Sequence, residues 1–398
     1  MVSITNNLSM KIIVLGGGIA GLATSAFLAK QGKHVVVIEK SNSLEDHGAG
    51  IQITPNAEKV IKQLGIYNQF KEISDQPSSI NIREIDTTRR LHSVPLDQYC
   101  MSEFTGDYHH IHRQDLIKLL SVRSKELGVE IIENEKITKI EELDKEVIVS
   151  SESGNSYQAD FLIAADGLNS IARKYLFPAY APKFRNFSAW RSLIKIDKDI
   201  DKIFLEPNLF ISKNLHFVTY PIRKMSYLNC VLISKDIDKK KESWTENAAL
   251  SEVTALIEEA NQTVKNIFLQ STNIKKWGLY DHFLPKWHSN RISLIGDAAH
   301  PMLPFMAQGG CSSLEDSFAL SYLMKNSKNI SEAFFKFQKI RYKRVRKIQQ
   351  ISSRNRFVFH QPLLIRSLIF KILELFPFIL LSRLKMIYNY DVVSRIKN

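Results

Sequence analysis

Apolar and polar positions along this chain switch between two periods. Residues 11–15, KIIVL, are a short apolar run of the kind a strand buried on both faces shows. A helical stretch then extends to Gln31, Gly32 stops it, and HVVVIEK at 34–40 returns to strand character. FLIAA at 161–165 and the run leading to Gly296 repeat the apolar-strand signature. LHFVTYPI (215–222) and YLNCVLI (227–233) instead alternate with period two, which predicts strands buried on one face. SEVTALIEEANQTVKNIF (251–268) predicts one helix lying on that second sheet.

The first strand–helix–strand unit carries Gly16-x-Gly18-x-x-Gly21 between strand and helix, and Glu39 ends the second strand. Gly16 permits a tight turn, Gly18 lets backbone approach a pyrophosphate, and Gly21 lets helix pack on strand. The helix N-terminus offers free N–H groups to phosphates. Glu39 is placed to hydrogen-bond a ribose hydroxyl, and an acid there favours FAD or NAD over NADP. Ile19, Ala20 and Lys40 flank these positions and complete the expected dinucleotide contacts. The uncharged run 12–29 contains three successive glycines, so it reads as this turn and helix and not as a cleaved leader or span.

Two further motifs lie far along the chain: Asp166-Gly167-x-x-Ser170-x-x-Arg173, and SLIGDAAHPMLPFMAQGGC at 293–311. Together with the glycine fingerprint they resemble the single-component FAD-dependent aromatic monooxygenases, in the branch of salicylate and 3-hydroxybenzoate hydroxylases. QGGC at 308–311 looks more like the zeaxanthin epoxidase and urate hydroxylase branches. The resemblance implies an α/β fold, with a Rossmann-like FAD-binding domain of glutathione-reductase type interleaved with a mostly antiparallel substrate sheet and followed by C-terminal helices. It implies FAD contacts from Gln52 (in GAGIQITPNA, 48–57), Arg113 (in HIHRQDL), Asp166, Gly167, Gly296, Asp297, Pro304, Gln308, Gly309 and Gly310. Glu315 and Asp316 are expected in the first turns of the helix that follows, where acids complement the dipole. The implied reaction passes through a flavin hydroperoxide, with NADH or NADPH as a transient co-substrate and an aromatic molecule and O2 as the other reactants.

His216, Val218 and Tyr220 share one face of their strand. In some relatives the matching His and Tyr flank the substrate, so the resemblance makes His216 a candidate base and Tyr220 a positioning group; the same His-x-x-x-Tyr-Pro recurs in relatives with other substrates, and hydrogen-bonded core residues would show the same spacing. Arg191, on the strand predicted to floor the pocket, is a candidate partner for a substrate carboxylate or for a structural salt bridge. Trp190, Phe210, Phe217, Tyr227 and Phe305 are candidates for an aromatic lining or for plain core. His300 reads as packing or capping. An epoxidase, an antibiotic-modifying oxygenase and a flavin-retaining partner without turnover are the other readings of these features.

The dispersed motifs divide the chain into a discontinuous FAD-binding domain (1–75, 105–178, 285–350), a substrate domain (76–104, 179–284) and a helical segment (351–398). Residues 362–388 are apolar but broken by Arg366, Lys371, Glu374, Arg383 and Lys385, and the run 375–382 is shorter than the ~20 residues a span needs. They predict a helical pair packed on the FAD domain, or else an interfacial helix in peripheral contact with a membrane.

A net charge of +13 admits nucleic acid, a membrane or an anionic small molecule. Its basic residues cluster only at Lys239–Lys241 and from Lys339 to Lys347, with no nucleic-acid motif nearby, which reads as a solvated face. The three cysteines, 100, 230 and 311, share no metal-ligand spacing and read as reduced thiols in a cytoplasm. No metal is expected, and a monomer or homodimer fits.

Overall fold

The computed structural model describes residues 10–42, 50–236 and 246–397. Gly48, Ala49 and the Lys239–Lys241 cluster lie outside the described residues. KIIVL forms the strand Lys11–Leu15, at the centre of a five-stranded parallel sheet. Its order runs Ile292–Leu294, Phe161–Ala164, Lys11–Leu15, His34–Ile38, Glu130–Ile132. Helices Ile19–Ala29, Arg113–Glu126 and Gly309–Asn326 pack around it, so the central strands are buried on both faces and need no alternation. A smaller antiparallel sheet (Ile137–Glu142, Val147–Ser151, Ser156–Ala159) and a two-stranded ribbon (Gly50–Ile53, His109–His112) complete this half.

The second large sheet has seven strands, in the order Lys275–Asp281, Lys183–Lys195, Tyr227–Lys235, Leu215–Ile222, Asn208–Ile211, Ser79–Glu84, Arg90–Pro95. All neighbours are antiparallel except Asn208–Ile211 beside Ser79–Glu84. The fold is thus the α/β class expected, with a mostly antiparallel second sheet.

Three expectations are corrected. The single helix over 251–268 is two helices, Leu250–Leu256 and Gln262–Leu269, because Asn261 caps the second by accepting from the Thr263 N–H at 2.9 Å. Glu315 and Asp316 lie past the first turn of Gly309–Asn326, fully buried, and their role is ion pairing. The C-terminal helices do not pack as a pair on the parallel-sheet unit. Leu363–Leu375 covers the edge strand Arg90–Pro95 of the other sheet, pressing Phe370 onto Ile82 and Ile211, while Pro377–Tyr388 lies against helix Pro55–Leu64. An uncovered edge strand would leave its N–H and C=O groups unpaired, and the first of these helices shields it.

Among the described residues no helix is long and apolar enough to cross a membrane. The outer face of the two C-terminal helices is nonetheless apolar, with Leu364 85%, Leu375 66% and Phe378 60% exposed.

Candidate active site

The parallel-sheet strands end in turns that converge on one cavity of about 660 Å³. Gly16 takes φ +99°, and a Cβ there would stand 2.5 Å from the Ala165 carbonyl oxygen. A Cβ on Gly21 would stand 1.9 Å from the Gly16 oxygen, so the helix closes on the strand only with glycine at that position. Gly18, Ile19 and Ala20 line the cavity. The Glu39 carboxylate accepts from the Gly17 N–H at 2.6 Å and the Ser41 N–H at 2.9 Å, which fixes it beside the glycine turn; Lys40 is exposed.

The other turns meet this one from distant parts of the chain. Asp166 Oδ2 accepts from the Ile171 and Ala172 N–H groups, while Oδ1 is buried with no hydrogen-bond partner. Gly167, Arg113, Asp297, Pro304, Gly309 and Gly310 line the cavity, as does Gln52, whose Oε1 accepts from Tyr108 at 2.6 Å. Asp297 faces open cavity space but is ringed by protein, and those low-dielectric walls raise its carboxyl pKa against the pull of His300 and Arg113. Gly296 takes φ +55° and donates its N–H to Asp316. Gln308 points inward, donating to Thr54 and accepting from Asn56.

The antiparallel sheet forms the opposite wall. His216, Val218 and Tyr220 all face the cavity. Arg191 opposes Val231 and Val231 opposes Val218, so Arg191 shares a row with the residue between His216 and Tyr220. Arg191 is 3% exposed, sits over the Trp277 ring at 5.2 Å, and is brought down to a pKa of about 10 by burial and by Arg113. Tyr220 stacks on His110 with ring centroids 4.2 Å apart, and burial pushes its phenol up against the opposing pull of Arg191. The His216 ring lies 5.2 Å from that of Phe305, and its Nδ1 shares a 3.0 Å hydrogen bond with His360 Nε2. Burial, then the neighbouring His360, hold its pKa well below 6.5.

The two readings of the aromatic residues divide between them. Phe305 lines the cavity, but Trp190, Phe210 and Phe217 point to the other face of the sheet and pack in the core beneath helices Leu250–Leu256 and Gln262–Leu269. Tyr227 lies at the end of its strand beneath Arg223.

Residues 9–327 match the family model described as FAD binding domain. The chain belongs to that FAD-binding family. The flavoprotein is 28% identical over 369 residues to the FAD-dependent monooxygenase OpS4 of Beauveria bassiana (strain ARSEF 2860), covering 89% of this chain and 86% of that one. It is 28% identical over 344 residues to a 3-hydroxybenzoate 6-hydroxylase of Klebsiella oxytoca, covering 85% and 86%. A salicylate hydroxylase in complex with its substrate superposes with a TM-score of 0.81 at 25% identity, over 98% of this chain and 97% of that one.

FAD is the cofactor of this family, and the site fits it. The glycine turn leaves backbone bare for a pyrophosphate, nothing lies within 4 Å of a Cβ built on Gly309, and the Asp166 Oδ1 acceptor is unfilled. The flavoprotein's wall also includes residues the sequence did not point to, among them Tyr108, Trp277 and Asn355. Asn355 donates to the Phe305 carbonyl at 3.0 Å and accepts from Arg383, tying the loop Pro304–Met306 to the C-terminal helices. Behind that loop, Arg341 pairs with Glu315 at 2.5 Å and Asp316 at 2.7 Å, and His300 with Asp316 at 2.5 Å. Burial pushes both carboxyls up, but their cationic neighbours outweigh it and hold both below the usual range.

Proposed function

We propose that this FAD-dependent monooxygenase adds one atom of O2 to the ring of a phenolic small molecule at the expense of NADH or NADPH, with His216, Tyr220 and Arg191 handling the substrate. The observation that carries the reading is that these three face the same cavity as Asp297, Pro304 and Gly309. FAD, when bound, supplies the redox chemistry that activates O2. The chain's own residues do the rest. His216 is neutral at pH 7, and with Nδ1 engaged by His360 its Nε2 serves as acceptor for the phenol proton. Burial makes it a weak base, and Arg191 offsets that by stabilising the phenolate that forms. Tyr220 stays protonated and donates to the substrate oxygen. The apolar walls keep water from the reacting centre. On this reading residues 1–75, 105–178 and 285–350 hold the cofactor and 76–104 and 179–284 hold the substrate.

The test follows NADH and NADPH oxidation by the holoenzyme against hydroxybenzoates and hydroxypyridines. One ring is expected to accelerate oxidation and emerge with an added hydroxyl. His216→Ala and Tyr220→Phe should then cut product formation by ~10²–10⁴-fold while the flavin absorbance is retained. A background rate unmoved by every aromatic would overturn the reading.

A further inference from the structure

We infer that the ring accepted by this site carries a long apolar substituent, held in a channel between the outer strands of the antiparallel sheet and the C-terminal helices. The inference rests on the hydroxylase reading above and names its substrate class. Its basis is register. The row that begins at Arg191, Val231 and Val218 continues through Leu209 to Ile82, because Val218 opposes Leu209 and Leu209 opposes Ile82. Val218, Leu209 and Ile82 all face the cavity. Neighbouring strands lie about 4.8 Å apart, so Ile82 is roughly 10 Å beyond the strand that carries His216 and Tyr220. A single aromatic ring at that strand does not reach the part of the cavity bounded by Leu209 and Ile82.

The roof over this outer stretch is equally apolar. Phe370, 2% exposed, and Leu373 pack onto Ile82 and Leu209. Leu380 and Ile379 also line the cavity, and Ile379 is 45% exposed, so the cavity reaches the surface within the apolar face of these helices. Two polar side chains bordering the stretch, Asn208 and Arg383, are already paired, while the Thr219 hydroxyl opposite Asn208 has no hydrogen-bond partner among the described residues. Asn208 donates to the Ile203 and Glu206 carbonyls at 2.7 Å and accepts from Arg83 at 2.8 Å, and Arg383 donates to Asn355. Water in such a space finds few partners, whereas an alkyl or isoprenoid chain replaces it without unpairing Asn208 or Arg383. The charge of Arg191 lies toward the other end of the row, so the substrate is polar at the reacting ring and greasy beyond it.

The experiment titrates the oxidised holoenzyme with phenols bearing 3-alkyl chains from none to nonyl, reading Kd from the perturbed flavin absorbance and assaying hydroxylated product in parallel. Each methylene is expected to tighten binding by about two- to fourfold, the upper figure being full burial, until the channel is filled. Leu373→Trp, inside the channel, and Ile379→Trp, at its exposed mouth, should each move the plateau to shorter chains. Affinity that is flat or weaker with chain length in the wild type, or a plateau unmoved in both variants, overturns the inference. Phenols that are hydroxylated without any dependence on chain length leave the hydroxylase reading standing and remove this one. Chain-length-dependent binding with no hydroxylated product does the reverse.

Discussion

At Gly21 there is no room for a methyl group, since the added carbon would stand 1.9 Å from the Gly16 oxygen. Gly21→Ala must therefore shift the helix Ile19–Ala29, whose N-terminus lines the cavity, an overpacking cost of about 1–3 kcal/mol. Flavin content after desalting is expected to fall by roughly tenfold or more on that basis, and a fully yellow variant would show that the contact yields. This glycine was legible in the sequence because its requirement is local, a matter of spacing within one turn. The orientation of Arg191 against Trp190 was not. Strand period says that they point to opposite faces, but residues 187–192 are buried on both, so the pattern does not say which face is cavity. His360 was invisible for a different reason: its partner His216 lies 144 residues away and nothing local marks the pair.

The helix Gly309–Asn326 reads by pattern as an N-terminal anion site with two acids in support, yet it is more than that. Those acids are fixed by Arg341, one helix later, and by Arg344, whose NH2 lies 3.2 Å from Glu315. With Arg341 0% exposed, Arg341→Met leaves two buried carboxylates short of a partner and should destabilise the fold by about 3–5 kcal/mol. Urea unfolding measures this, and an unchanged midpoint would mean that Arg344 and His300 suffice. At this scale the sequence was most legible where an element packs on its own neighbours, as in the first strand–helix–strand unit. It was least legible where tertiary contact decides. The break at Asn261 within an otherwise helical run is a capping choice, and the docking of Leu363–Leu375 on a sheet edge depends on a strand more than 250 residues earlier.

For the molecule as a whole, buried histidines set the response to acid. Burial, the largest cause in each case, holds His110 and His282 near pKa 3 and His112 near 4, with His216 also well below 6.5. Each stays neutral in the folded state while the unfolded chain takes up protons near pH 6.5. The unfolded state therefore binds more protons as pH falls from about 6.5 toward 4, and stability drops by up to ~1.4 kcal/mol per histidine per pH unit. A Tm at pH 5 some 5–10 °C below that at pH 7 is expected, roughly, for several such groups. Thermal scans at the two pH values check it, and a Tm that does not fall would mean that these rings are protonated in place.

The cavity draws its lining from Gly18, Gly167, Asp297 and Gly310, positions spread over nearly three hundred residues. At about 5–20 residues per second, synthesis separates the first of these positions from the last by roughly 15–60 s. During that interval the glycine turn lacks the later residues it packs against, Ala165 among them, and the strand Ile292–Leu294 has yet to join the sheet's edge. Closure of the cavity thus waits until the chain has grown past Gly310, and the supply of free FAD acts on a chain that already holds all of these positions.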